Sequence, residues 1–140
     1  MASINDPDEI ARALKTAKTI AVVGCSPEES RPSNAIARYL LRAGYDVIPV
    51  NPGHREILGR PCYADLASIP KDVRVDIVDV FRRSEFVSKV AGEALSRGTG
   101  FFWMQDGVVD DEAAGRLVAA GIGVAMDRCI FRDHAALGLP

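Results

Sequence analysis

The sequence predicts an α/β domain in which helices cover both faces of a doubly wound parallel sheet, giving three layers. Short runs of apolar, mostly β-branched residues alternate with segments in which apolar residues recur every three or four positions. Such alternation of strand and helix is typical of a parallel sheet. The chain has 140 residues, which suits one hydrophobic core. No linker or repeat divides it, so residues 1–140 are expected to form a single domain.

The helices are predicted from caps and apolar stripes. Asp6 can cap the first helix, Pro7 suits its first position, and apolar residues continue to Ala17. A second helix ends at Gly44. The third runs from a possible cap at residue 84 to residue 98, the fourth covers 110–120, and the tail of the chain is also helical.

Each predicted strand is short and apolar. The segment 18–24 is almost entirely β-branched and apolar, as expected for a central strand buried on both faces. Further strands are predicted at 45–50, 60–63, 75–80, 101–105 and 123–126. In the fifth of these six, Phe101 and Trp103 alternate with Phe102, which indicates packing on both faces of the sheet rather than a platform for stacking bases.

Composition and charge exclude several classes of function. Seventeen basic and nineteen acidic residues give a net charge of -2, so no overall field attracts nucleic acid or an anionic membrane. No apolar run is long enough to cross a bilayer, and the amino terminus does not resemble an export signal. Three widely spaced cysteines argue against a disulfide framework and a zinc site. We therefore expect a cytoplasmic protein with reduced thiols.

The candidate binding site lies beyond the carboxyl ends of the predicted strands, where ligands bind in doubly wound sheets. The first loop there precedes a helix, whose amino terminus favours phosphate. Ser26, Ser30 and Ser33 add hydroxyls, and Arg31 adds a guanidinium that can hold phosphate oxygens. The alternative is that Ser33 only caps the helix and Arg31 is solvated.

The phosphate compound is not a typical dinucleotide. Only Gly24 remains of the glycine pattern of such sites, and Asn51 occupies the position of the acid that would hold the ribose. The Walker phosphate-binding pattern is also absent. An NAD site is therefore disfavoured, although an NAD-dependent enzyme remains an alternative.

Seven segments, at 22–26, 31–33, 49–53, 58–59, 79–82, 103–108 and 127–129, resemble the small stand-alone CoA-binding proteins of bacteria and archaea. They are also similar to the CoA-binding domain of the succinyl-CoA synthetase alpha subunit. The resemblance covers about residues 17–135 and implies a Rossmann-like domain that holds coenzyme A across the strand ends. Pro27 and Pro32 depart from the glycine-rich synthetase loop, and His54 replaces a lysine. The synthetase's phosphorylated histidine lies in a second domain, so the resemblance does not extend to ligase activity.

The strand ends and the resemblance together predict thirteen CoA contacts. They are Gly24, Cys25, Ser26, Arg31, Ser33, Asn51, Pro52, His54, Phe81, Arg82, Met104, Gln105 and Asp106. The expected function is to bind CoA or an acyl-CoA as a module rather than as an enzyme. The second alternative is a protein-interaction domain without a ligand.

The thiols and the remaining ionisable groups carry weaker predictions. Cys25 at a helix amino terminus would have a lowered thiol pKa, although a buried thiol is commoner. Cys129 is expected near the pantetheine thiol and to form any mixed disulfide with CoA, whereas Cys62 fills core space.

The histidines His54 and His134 are expected on the surface. Asp106 and Asp127 are either general bases or helix caps.

Overall fold

The computed structural model describes residues 2–139 and confirms the predicted order of the helices and of the strands of the central sheet. The short strand Glu56–Ile57, which pairs antiparallel with Arg60–Pro61 in a separate sheet, was not predicted. The helices are α1 (Pro7–Thr16), α2 (Pro32–Arg42), α3 (Val87–Arg97), α4 (Asp111–Ala119) and α5 (Ile130–Leu137). The strands are β1 (Thr19–Val23), β2 (Asp46–Val50), β3 (Glu56–Ile57), β4 (Arg60–Pro61), β5 (Ile77–Val80), β6 (Phe101–Met104) and β7 (Gly123–Ala125).

Five parallel strands form the central sheet in the order β2-β1-β5-β6-β7. The connection from β1 to β2 runs towards one edge, whereas those from β5 to β6 and β7 run towards the other. The strand order therefore reverses between β1 and β5, which is the switch point of a doubly wound sheet. The predicted Rossmann-like architecture is confirmed.

Helices cover both faces of this sheet. Helices α1, α2 and α5 pack on one face over a core that includes Ile20, Ile77 and Trp103. Helices α3 and α4 pack on the other, over a core that includes Val78 and Phe102. The prediction that Phe102 faces away from its aromatic neighbours is correct, because successive side chains of a strand point to opposite faces.

The predicted cap is observed at the start of α1 but not at the start of α3. The Asp6 side chain caps α1 by accepting hydrogen bonds from the backbone N–H groups of Asp8 and Glu9. Ser84 does not cap α3 but lies in a preceding 3-10 turn, Ser84–Phe86. Its Oγ instead accepts from the N–H of Val109, 2.9 Å away, which joins the loops that follow β5 and β6.

Both edges of the sheet are covered by neighbouring chain. At the β2 edge, Tyr63 forms a parallel bridge with Val50. At the β7 edge, Ile4 bridges Val124, and the N–H of Asn5 donates to the Val124 carbonyl over 2.7 Å.

No helix within residues 2–139 is both long and apolar enough to cross a membrane.

Candidate coenzyme A site

The switch point brings Gly24 and Arg82 together. Gly24 follows β1 with a φ of +86°, in the left-handed region that favours glycine. A Cβ at Gly24 would lie only 3.0 Å from Cδ of Arg82. The stem of Arg82 therefore lies against the backbone at the end of β1. The φ of Gly24 favours glycine there, and a Cβ would be in tight contact with that stem.

Arg82 is half-buried. Its Cζ lies 4.4 Å from the centroid of the Phe86 ring, a cation–π distance. Within residues 2–139 it has no carboxylate within ion-pair distance. The neighbouring Arg83 is exposed and pairs with Glu85 at 3.3 Å. Arg82 thus keeps its hydrogen-bonding capacity at the switch point, whereas Arg83 does not.

The loop between β1 and α2 is held by its own side chains. Ser33 Oγ accepts from the N–H of Ser26 at 2.9 Å, and Ser26 Oγ accepts from the N–H of Glu28 at 3.1 Å. Asn34 Nδ2 donates to the Ser26 carbonyl. The N-cap position of α2 is Arg31, so Ser33 does not cap this helix. The two predicted serines therefore fix the shape of the loop.

Arg31 is on the outside of this loop. Its side chain is 66% exposed, and its Nε pairs with Glu28 at 3.3 Å. The sequence left open whether Arg31 binds phosphate or is merely solvated. Its side chain is largely solvated, but it lies at the start of α2, where a phosphate would bind.

The end of β2 positions Asn51 but leaves little of its side chain free. Its Nδ2 donates to the Cys25 carbonyl and its Oδ1 accepts from the N–H of Gly53, both at 2.9 Å. Asn51 thereby ties the β2 turn to the β1 end. Pro52 and His54 are exposed on the same turn.

The ends of β6 and β7 are joined by side chains that bond within the protein. Gln105, 4% exposed, accepts the N–H of Ile130 with Oε1 at 3.0 Å. Asp106 pairs with Arg132 through two bonds of 2.7 Å, and this hydrogen bonding lowers the pKa of Asp106. Asp127 accepts from the N–H of Gly107 at 2.7 Å. Neither aspartate caps a helix; the α4 cap is Asp110, outside the predicted pair.

Met104 and Phe81 complete the predicted set. Met104 is buried at the end of β6, in the core under α3 and α4. Phe81 is half-buried and packs against the core on the opposite face of the sheet. All thirteen candidates thus lie at or near the carboxyl ends of the strands, but several of their side chains point into the protein.

Of the two alternatives for Cys25, the buried thiol is observed and the lowered thiol pKa is not. Cys25 lies at the start of the β1–α2 loop, well before the first turn of α2, and it is fully buried. Burial, followed by the neighbouring Cys62 and Asp79, raises the pKa of the Cys25 thiol to about 12. Cys62 is buried, as expected. Cys129 is buried at the N-cap position of α5, and its reaction with CoA stays a prediction.

One of the two histidines departs from expectation. His54 is exposed, whereas His134 is buried in α5, with Nδ1 2.7 Å from the hydroxyl of Tyr39. Burial lowers the pKa of His134. The prediction of a surface position is therefore wrong for His134, because α5 turns this residue towards α2.

Asp79 is a buried residue that the candidate set omitted. It occupies the middle of the sheet in β5 and neither carboxyl oxygen has a hydrogen-bond partner within residues 2–139. The signal was present, since an acid interrupts the apolar run at 77–80. In that described range no three His, Cys, Asp or Glu side chains form a metal-binding group.

Comparison of the sequence with known protein families identifies a family for nearly the whole chain. The family described as "CoA binding domain" matches residues 18–135. The chain belongs to that family. The resemblance drawn from the seven segments is thereby confirmed.

Similar proteins include two of the chain's own length. Uncharacterized protein YneT of Bacillus subtilis is 43% identical over 127 residues, covering 91% of this chain and 93% of that protein. A hypothetical protein from Pyrococcus horikoshii OT3 has a structure with a TM-score of 0.89 and 35% identity, covering 94% of this chain and 92% of that one.

A longer relative is the Acetate–CoA ligase [ADP-forming] I of Archaeoglobus fulgidus. It is 43% identical over 63 residues, which are 45% of this chain but only 9% of the ligase. The similarity therefore reaches a small part of that enzyme.

Proposed function

We propose that this protein is a binding module for coenzyme A or an acyl-CoA, with the ligand's phosphates at the switch point. The observation that carries the proposal is Arg82, a half-buried residue whose stem lies against Gly24 and whose guanidinium has no carboxylate partner within residues 2–139. A guanidinium so placed matches a phosphate, which it can hold with two hydrogen bonds.

The residues around Arg82 fit the rest of this assignment. Arg31 supplies a second cation, and the β1–α2 loop that carries it is already ordered by Ser26 and Ser33. A pre-ordered loop loses little conformational entropy when a ligand binds. When bound, CoA would supply a thiol that carries an acyl group. The ends of β6 and β7, which include Gln105, would border the remainder of the ligand.

An NAD-dependent function is a weaker candidate. In a dinucleotide site, an acid at the end of the second strand holds the ribose hydroxyls. Here Asn51 stands in that position, and both ends of its side chain already bond to the backbone. Family membership favours CoA instead. A ligand-free interaction domain would not explain why Arg82 is left without an acidic neighbour.

The test begins with the natively purified protein. Mass spectrometry under non-denaturing conditions should reveal a co-purifying CoA species. After that species is removed, added CoA should raise the melting temperature in a saturable way, because a ligand that binds only the folded state stabilises it. NAD at equal concentration should have a weak effect or none.

Two outcomes would overturn the proposal. Equal or larger stabilisation by NAD would favour a dinucleotide enzyme. Stabilisation by neither compound, with calorimetry also flat, would favour the interaction domain.

A further inference from the structure

Asp79 is an ionisable residue in the apolar centre of the sheet. It is 0% exposed and lies in register with Val22 of β1 and Trp103 of β6. Neither of its oxygens finds a hydrogen-bond donor or acceptor in residues 2–139. An ionised carboxylate is strongly disfavoured in such a place unless it is paired. Burial accordingly raises the pKa of Asp79 well above its usual range, so the neutral acid is the form that fits the closed structure.

The position of Asp79 connects it to the proposed CoA site. Alternation along β5 places its side chain on the same face as Ile77, and that face also holds Cys25. The β1 residue in register with Asp79 is Val22, and Val22 belongs to the same buried cluster as Cys25, so Asp79 and Cys25 lie on one face of the sheet near the end of β1. Cys25 immediately follows Gly24 and begins the loop between β1 and α2.

Other ionisable groups on this face do not neutralise Asp79. Glu9 of α1 bonds to Ser3, Arg38 of α2 bonds to Asn34 and Glu29, His134 of α5 bonds to Tyr39, and Arg128 before α5 bonds to Asp133. Cys62 lies beside Cys25 and, like it, is a buried neutral thiol whose pKa is raised by burial. Water is therefore the partner an ionised Asp79 requires.

Water can reach Asp79 only if its cover moves. Strands β1 and β6 flank it and are fixed by parallel pairing to their neighbours. Towards the strand ends, the buried cluster on the face of Asp79 includes Cys25, whose backbone is tied to the end of β2 through Val50 and Asn51. Movement of Cys25 would shift Gly24, and with it the contact with Arg82.

We propose that Asp79 is a positioning residue of the CoA site: as the neutral acid it supports the closed start of the β1–α2 loop, and loss of its proton to solvent opens that loop and weakens CoA binding. This inference rests on the proposed function. Apparent affinity then follows the fraction of molecules that retain the proton.

The variant Asp79→Asn tests the role of the proton, because the amide is similar in shape and cannot ionise. The dissociation constant of CoA is measured calorimetrically from pH 6 to 9 for the wild type and the variant. Titration of the ligand's own phosphate affects both proteins equally. The ratio of the wild-type constant to the variant constant therefore isolates Asp79.

The expected ratio is constant at the lower pH values and rises by up to about tenfold per pH unit once Asp79 ionises. The pH range is located independently by infrared difference spectroscopy, which follows the carbonyl band of the protonated carboxyl in the wild type. That band should be present at pH 6, disappear before pH 9, and return when CoA is added at the intermediate pH.

A flat ratio across the pH at which the band disappears would overturn the inference. So would absence of the band at pH 6, or its persistence to pH 9. Burial also raises the pKa of the Glu93 carboxyl, so the spectra are repeated with Glu93→Gln, in which the remaining band belongs to Asp79. This assignment decides the matter even if Asp79→Asn fails to fold. Failure of the proposed function looks different: the wild type would not bind CoA at pH 6, where the band is strong.

Discussion

Arg82 and the polar side chains after β6 lie at the carboxyl ends of the same sheet but differ in their partners. The guanidinium of Arg82 has no acidic partner within residues 2–139. Gln105 accepts a hydrogen bond from the backbone of the first turn of α5, and Asp106 is bound to Arg132 of the same helix. The hydrogen-bonding capacity of Arg82 is therefore unused, whereas Oε1 of Gln105 and the carboxylate of Asp106 already have partners.

This difference separates two kinds of polar residue that look alike in sequence. A cation without a partner gains most from an anionic ligand, because no internal bond must be broken first. A polar group bonded across two elements contributes instead to the rigidity of the wall. We therefore expect substitution of Arg82 to change affinity, and substitution of Gln105 to change stability.

The largest effect is expected for Arg82→Ala. Loss of a hydrogen-bonded guanidinium should weaken CoA by about 1.5 to 3 kcal/mol, or about tenfold to a hundredfold in the dissociation constant. Stability should change little. Calorimetric titration measures the affinity, and Arg83→Ala is the matched control because Arg83 is adjacent, exposed and paired with Glu85. Equal losses in the two variants would mean that general surface charge, rather than the switch point, attracts the ligand.

The second-largest effect is a loss of stability expected for Gln105→Ala at the end of β6. Removing Oε1 leaves the buried N–H of Ile130 without its acceptor, which should lower the free energy of unfolding by about 1 to 3 kcal/mol. Urea denaturation measures this loss, and Asp106→Asn, at the exposed neighbouring position, provides the control. If Gln105→Ala retains its stability but loses CoA affinity, Gln105 contacts the ligand and the contrast between the two regions fails.

The smallest effect is a pH dependence from His134 in α5. Its folded pKa is lowered by burial below the unfolded value of 6.5, so its contribution to stability is present above that value. The contribution is lost as pH falls through the folded pKa, because the unfolded chain binds the proton more readily. Urea denaturation between pH 7.5 and 5 should show a smaller decrease in stability for His134→Gln than for the wild type. His54→Gln, at an exposed loop position, should follow the wild type; a matching decrease in all three proteins would assign the effect elsewhere.

Much of the fold could be predicted because its signals are local. The apolar run that became β1, the cap at Asp6 and the glycine at residue 44 each act within a few positions of the chain. The position proposed for the site also follows from a general rule about strand ends. The resemblance then supplied the ligand class, which family membership supports.

The roles of individual site residues were harder to predict because their partners are distant in sequence. Ser26 and Ser33 read as phosphate ligands, yet seven residues apart they bond to each other. Gln105 accepts a hydrogen bond from Ile130, 25 residues later, and the backbone of Cys25 is held by Asn51 at the end of β2. The apolar run at 77–80 indicates that Asp79 is buried, but its lack of a partner depends on the neighbouring residues of β1 and β6, which are distant in sequence.

The covered edges of the sheet have a consequence for self-association. An open strand edge offers unpaired backbone groups to another molecule and can seed aggregation. Here β7 is shielded by the segment that contains Ile4 and Asn5, and the end of β2 is shielded by Tyr63. Truncating the first five residues would uncover a three-residue strand whose Val124 carbonyl and N–H have lost their partners. By pairing with Val124, the amino-terminal segment leaves fewer free backbone groups on β7 for another molecule to bind. This effect on self-association is independent of ligand binding at the strand ends.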